Sequence, residues 1–148
     1  MSWLFRGSPH APKVLSIVRV VVAFMFMSVG TMKMFGFPSR GEPIGFDPFT
    51  QIGLAAIIEV FGGTLVLIGL ATRPAAFIMS GEMAVAYFQN YAPKAFFPVI
   101  NGGAPAALYC WIFFYLAFAG GGAWSVDAWI SSTRQRRSND APAPKVAA

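Results

Sequence analysis

The sequence predicts an all-α integral membrane four-helix bundle, and three observations carry that prediction. Of 148 residues, 56% are hydrophobic and only 11% charged, against about 25% charged in ordinary soluble domains. Too few polar groups remain to cover a folded surface in water, and such hydrophobicity also excludes a disordered chain. Four apolar stretches are each long enough to cross a bilayer, which takes about 20 helical residues. Finally, the charges avoid those stretches: of 11 basic and 6 acidic side chains, only Arg19, Glu59 and Glu82 fall inside them.

The first span is Val14–Met32, the second Ile52–Ala71, the third Pro74–Ala92 and the fourth Pro105–Val126. Helix is the required form, because lipid offers no partner to open backbone groups and no barrel-type alternation is present. Pro74 and Pro105 stand at first turns, where a missing N–H costs little. A Gly/Pro-rich loop from Gly36 to Pro48 follows the first span, and Thr72-Arg73 links the second to the third. Pro93 to Gly103 joins the last two, and Gly120-Gly121-Gly122 is expected to loosen or end the fourth helix. The chain therefore divides into a cytoplasmic N-terminal segment (1–13), a membrane domain (14–130) and a disordered basic cytoplasmic tail (131–148).

Charge sets the orientation. One side holds Arg6, Lys13, Arg73, Arg134, Arg136, Arg137 and Lys145; the other holds Lys33, Arg40 and Lys94. That excess places both termini in the cytoplasm. A cleaved signal peptide fits the first span poorly, since Arg19 interrupts it and no A-x-A site follows. The net charge of +5 reads as a topology signal and a tail near anionic lipid, not as a nucleic-acid surface. One cysteine, Cys110, excludes an internal disulfide, a CxxC redox pair and a thiol-oxidoreductase bundle. With one histidine, His10, no haem or iron–sulfur centre is encoded.

Charges within a span face protein or water, because each costs on the order of 2.5–3.5 kcal/mol near mid-membrane. Glu59 shares its stripe with Ala55, Ala56, Gly62, Gly63, Val66 and Gly69, small residues that admit a close neighbour. Glu82 lines up with Ile78, Met79, Ala86, Gln89 and Asn90, and Arg19 with Ala23, Phe26, Gly30 and Lys33. Tyr109 and Asp127 lie five turns apart on one face of a continuous helix. Depth counting groups Arg19, Glu82 and Asp127 toward the cytoplasmic side and pairs Glu59 with Lys33 toward the other. These charges either pin helix register or line a polar pocket that binds a small molecule or passes a proton. Spacing leaves both readings open.

The motifs also carry a resemblance. Gly30-Thr31-Met32-Lys33 with Phe35-Gly36-Phe37-Pro38 resembles the end of the first helix in the DoxX family. Glu59 with Gly62-Gly63, and Gly69-Leu70 with Thr72-Arg73-Pro74, resembles its second helix and link. Gly81 to Phe88 is similar to its third helix. Asn101-Gly102-Gly103, Leu108-Tyr109 and Ser125-Val126-Asp127 resemble its last third. The resemblance covers about Val14 to Ala128 and implies a four-helix bundle of the bacterial inner membrane. It carries over Arg19, Lys33, Glu59, Glu82, Asn101 and Asp127 as the family-like polar set. Val29 and Ala104 depart from it, where many members have a histidine and an acid.

The family takes its name from a small subunit of a thiosulfate:quinone oxidoreductase. The resemblance thus implies an accessory membrane subunit that binds quinone and docks soluble oxidoreductase or sulfurtransferase-type proteins. The expected ligand-binding set is Arg19, Glu82, Asp127, Lys33, Glu59, Asn101 and Tyr109. Catalytic and metal-binding residues are not expected. Two alternatives stand beside it: a small proton-coupled transporter, and a purely structural assembly subunit. The lipid bilayer and a second copy of the chain complete the expected partners.

Overall fold

Pro12 in the first turn and the apolar run behind it set the first helix going. A computed structural model describes residues 8–38 and 46–139. Helix α1, Ala11–Phe35, has 25 residues and stops where Gly36 turns left-handed at φ 69°. Helix α2, Gln51–Ile68, begins at Thr50, whose hydroxyl accepts the Gly53 N–H. Its middle, Ile58–Gly62, is a π turn, and it ends at Gly69 with φ 74°. Helix α3, Thr72–Asn90, follows at once. A single turn, α4 (Pro98–Asn101), precedes α5 (Ala104–Ala119) and α6 (Val126–Asn139).

Four of these make the bundle. α1 packs along α2, α3 along α5, and α2 meets α3. Phe26 of α1 closes the ring on α5, with ring centroids 5.1 Å from Tyr109 and 4.8 Å from Phe113. The core is made largely of small or flexible side chains, including Ala23, Ala56, Ala76 and Met79, around Phe26, Phe113 and Leu116. Large apolar side chains face outward instead, among them Ile17, Phe24, Phe77, Phe88, Trp111 and Phe118. Small inside and large apolar outside is the distribution that lipid favours, since helices in a membrane gain by close approach. α1 and α2 are each long and apolar enough to span, and α5 is a shorter apolar helix.

One glycine shows how close that approach is. A Cβ on Gly30 would lie 2.7 Å from Glu59 Cβ and 3.0 Å from the Val60 backbone nitrogen. α1 and the π turn of α2 therefore meet backbone to backbone.

Two boundaries differ from the sequence-based expectation. The fourth helix ends at Ala119, not Val126, because Gly120 adopts φ 83° and Gly122 φ 78°. Residues 120–125 form an irregular segment that folds back under the bundle. Beyond it, the segment from Ser131 to Asn139, expected to be disordered, continues α6. No Gly or Pro interrupts that stretch, and Asp127 at its start and Arg136 and Arg137 at its end suit the helix dipole. The rest of the expected tail (140–148), residues 1–7, and Arg40 in the long loop lie outside the described residues.

Candidate functional site

The charged side chains gather at two levels. One is the end of the bundle where α1 and α3 begin and α5 ends. Here the last carbonyls of α2 run short of helical N–H partners, Val66 O meeting only the Gly69 N–H. Arg19, only 1% exposed, supplies them. Its guanidinium donates to the Val66 and Leu67 carbonyls of α2, and to those of Gly121 and Trp124 in the segment after α5. A charged fork on the negative end of a helix is electrostatically well placed. Asp127 does the complementary work. Its carboxylate accepts the Ala71 and Thr72 N–H groups at 2.8 and 2.9 Å, and its own N–H donates to Gly69 O at 2.9 Å.

Together the two residues clamp the Gly69–Thr72 turn, Arg19 on its carbonyl side and Asp127 on its N–H side. Burial alone would raise the Asp127 carboxyl, but the backbone donors of Thr72 and Ala71 and the Arg19 charge outweigh it. They hold the group below the ordinary aspartate value. Ser16 ties in the same segment, accepting the Trp124 N–H at 2.9 Å.

The second level lies toward the other end. Lys33, in the last turn of α1, donates to Glu59 Oε1 at 2.6 Å, and Glu59 is 1% exposed. Glu82 faces the same pair from α3. The grouping of Glu82 with Arg19 and Asp127 is therefore corrected. Glu59 is eight residues from the start of α2 and Glu82 eight from the end of α3, so both lie about 12 Å from the same end. Counting Glu82 only from its own N-terminus concealed that match. Arg19, in turn, finds carbonyls closer than any carboxylate.

Beside this cluster, α2 and α3 diverge and leave a cleft of about 600 Å³. Lys33, Glu82, Gln51 and Asn90 give it a polar lining; Leu54, Ala55, Ile58, Ile78, Met83 and Val85 give it an apolar one. Ile52, Leu54, Ile78 and Val85 are exposed on the outer surface, so the cleft opens sideways toward lipid. Two carboxylate oxygens here, Glu59 Oε2 and Glu82 Oε2, are buried without a hydrogen-bond partner among the described residues.

The remaining expected residues stand apart from the cleft. Asn101 is buried in the connection before α5, donating to Ala95 O at 2.9 Å and accepting the Gly103 N–H at 2.7 Å. Tyr109 belongs to the aromatic contact with Phe26 and Phe113. It does not share a helix face with Asp127, because the helix breaks at Gly120. Gln51 was not among the expected site residues; it stands at the first residue of α2, and its amide donates to Gln89 Oε1 across to α3. Asn90 is legible in the Glu82 stripe, two turns further on.

The fold and the cleft define a small multi-span helical membrane protein with a lateral polar site. A DoxX family profile matches residues 14–92, which contain Lys33, Glu59, Glu82 and Asn90. The chain belongs to the DoxX family. It is 44% identical over 124 residues to an uncharacterised protein of Haemophilus influenzae, covering 80% of this chain and 91% of that one. It is 31% identical over 151 residues to an uncharacterised membrane protein of Mycobacterium tuberculosis, covering 88% and 89%. No solved structure matches the chain.

Proposed function

We propose that this protein is the membrane subunit of a redox assembly and holds a ring-headed lipid of the quinone class between α2 and α3. The observation that supports the reading is the cleft itself. Its volume of about 600 Å³ falls in the range of small-molecule sites. Lys33, Glu82, Gln51 and Asn90 offer hydrogen-bond partners to a head group, while the apolar remainder suits an isoprenoid tail. Because the cleft opens sideways, such a ligand enters from the bilayer without crossing water. The chain encodes no electron-carrying centre of its own, so electrons would pass between the ligand and a docked partner. Exposed Lys13, Arg73, Arg134, Arg136 and Arg137 give the opposite end a basic face for soluble oxidoreductase or sulfurtransferase-type proteins.

The same basic excess orients the chain, with both termini in the cytoplasm of a bacterial inner membrane. In a Cys110→Ser background, a cysteine replacing Lys94 labels from outside intact cells, and one replacing Ser138 does not. The reverse pattern overturns this orientation. For the ligand, a photoreactive quinone analogue is cross-linked to the purified protein in mild detergent. Adducts on α2 and α3 peptides of the cleft, competed by excess unmodified quinone, are the expected result. Adducts elsewhere, or none that compete, overturn the reading. The two adjacent carboxylates within the spans favour a second reading, a proton-coupled transporter. Proton uptake by proteoliposomes lacking any redox partner would select it.

A further inference from the structure

Within the four bundle helices, one cation comes near Glu82. The basic side chains of α1 are Lys13, Arg19 and Lys33, that of α3 is Arg73, and α2 has none. Lys13 and Arg19 belong to the far end, where Arg19 is engaged by backbone carbonyls. Arg73 stands nine residues before Glu82, about 13 Å along the helix. α5, packed along α3, has Tyr109, Cys110 and Tyr115 as its titratable groups, all uncharged at neutral pH. The charges that act on Glu82 are those of Glu59 and Lys33. Lys33 Nζ is already bonded to Glu59 Oε1 at 2.6 Å.

Two carboxyl groups therefore stand against one ammonium in a part of the bundle shielded from solvent. Glu59 Oε2 and Glu82 Oε2 are both buried, and neither meets a donor among the described residues. A buried negative charge without a partner is relieved most readily by taking up a proton. Glu59 has the ammonium as its counter-charge, and Glu82 has none of its own. We infer that Glu82 is a proton-binding site: at neutral pH it stands in the cleft as a neutral carboxylic acid, while Glu59 stays ionised against Lys33. Glu82 lines the cleft and Glu59 does not, so the exchangeable proton is the one on Glu82. A carboxylic acid donates through its O–H and accepts through its carbonyl. The site can thus meet a carbonyl or a hydroxyl of a cleft ligand, and can pass a proton to that ligand or take one from it, as intramembrane carboxyls in proton relays do. The assignment stands on the charges of the bundle and holds for either ligand reading above. Failure of quinone cross-linking would overturn the quinone-class reading and leave this one intact.

The test reads wild-type protein at neutral pH, in a detergent free of ester and acid groups, by infrared spectroscopy. A protonated carboxyl has a carbonyl stretch separate from those of carboxylates and amides. One such band is expected, shifting on exchange into heavy water and fading as the medium is made alkaline. Six acidic side chains in the chain could carry it. Wild-type protein is therefore also treated with dicyclohexylcarbodiimide, a lipid-soluble reagent that adds to protonated carboxyls, and the adduct is mapped by mass spectrometry. Glu82 is expected to be modified at least tenfold more than Glu59 or Asp127, and Glu82→Gln to lose both band and adduct. The absence of a protonated-carboxyl band from the wild type overturns the inference. So does an adduct that falls on Glu59 or misses Glu82, or a band that survives Glu82→Gln. Band and adduct are both read on the wild type, so a misfolded variant would not spare the inference.

Discussion

The two charged levels of this bundle each set a basic side chain near a carboxylate, yet they come out opposite. At the Arg19 level every charge has its partners: the guanidinium meets four carbonyls and the Asp127 carboxylate meets two backbone N–H groups. At the Glu82 level one ion pair is complete, and two carboxylate oxygens have no partner among the described residues. A buried charge that is fully paired fixes structure; one left incomplete offers free energy to whatever arrives to complete it. Both levels set opposite charges side by side, and what separates them is how completely their hydrogen bonds are satisfied.

The comparison breaks most visibly at Arg19. Arg19→Leu removes a buried guanidinium from four carbonyls, leaves Leu67 O and Trp124 O without a donor among the described residues, and is expected to cost about 3 kcal/mol or more. The readout is the loss of a monodisperse, cooperatively melting species in detergent. Arg19→Lys should recover less than half of the lost stability, because an ammonium cannot fan out to four carbonyls as a planar fork does. Full recovery by lysine would mean that charge alone holds this end together.

The helix contact that seats the ion pair comes next. Gly30→Ala drives a methyl into Glu59 Cβ and the Val60 backbone, and overpacking of this kind costs about 1–3 kcal/mol. Gly81→Ala, by contrast, meets nothing within 4 Å and gains about 1 kcal/mol of helix propensity. The melting temperature should fall for the first and hold or rise for the second. Equal effects would show that α1 and the π turn do not meet as closely as described.

Within the cleft, the two carboxylates should separate. Glu59→Gln strips Lys33 of its partner and should lower stability by about 1–2 kcal/mol, discounted because Lys33 is partly exposed. Glu82→Gln removes an unpaired buried carboxylate and should leave the melting temperature unchanged or higher. Thermal melts of the two variants side by side decide it, and a larger loss for Glu82→Gln would identify Glu82 as a clamp.

The smallest expected effect belongs to Asp127 and appears only in acid. Its folded value lies below that of the unfolded chain, about 3.9. Its contribution is therefore fully present above that pH and fades as pH falls through the lower folded value. As pH falls below about 4, wild type should lose melting temperature more steeply than Asp127→Asn, which has no such contribution to lose. Parallel acid limbs would remove Asp127 from the clamp.

Much of this was legible in the residues. Four apolar stretches, three charges within them and small residues beside Glu59 gave the bundle, and the Lys33–Glu59 pair followed from helical spacing and depth. The partners of Arg19 were not legible, because they are backbone carbonyls, which every residue carries and no motif marks. The π turn at Ile58–Gly62 was equally silent, since its sequence reads as ordinary helix and only packing against Gly30 and α3 distinguishes it.

What the sequence determined by itself is the class of structure and where charge was allowed, because hydration cost is paid residue by residue and spacing records it. What only the tertiary structure decided is the role each charge plays. Arg19 and Glu82 look alike as isolated charges in apolar helices. One became a clamp because the end of α2 and the Gly120–Gly122 segment brought four carbonyls to it. The other lines an open cleft because α2 and α3 part beside it, and no donor among the described residues reaches its buried oxygen. Such a difference arises from how separate segments meet, and local sequence does not encode it.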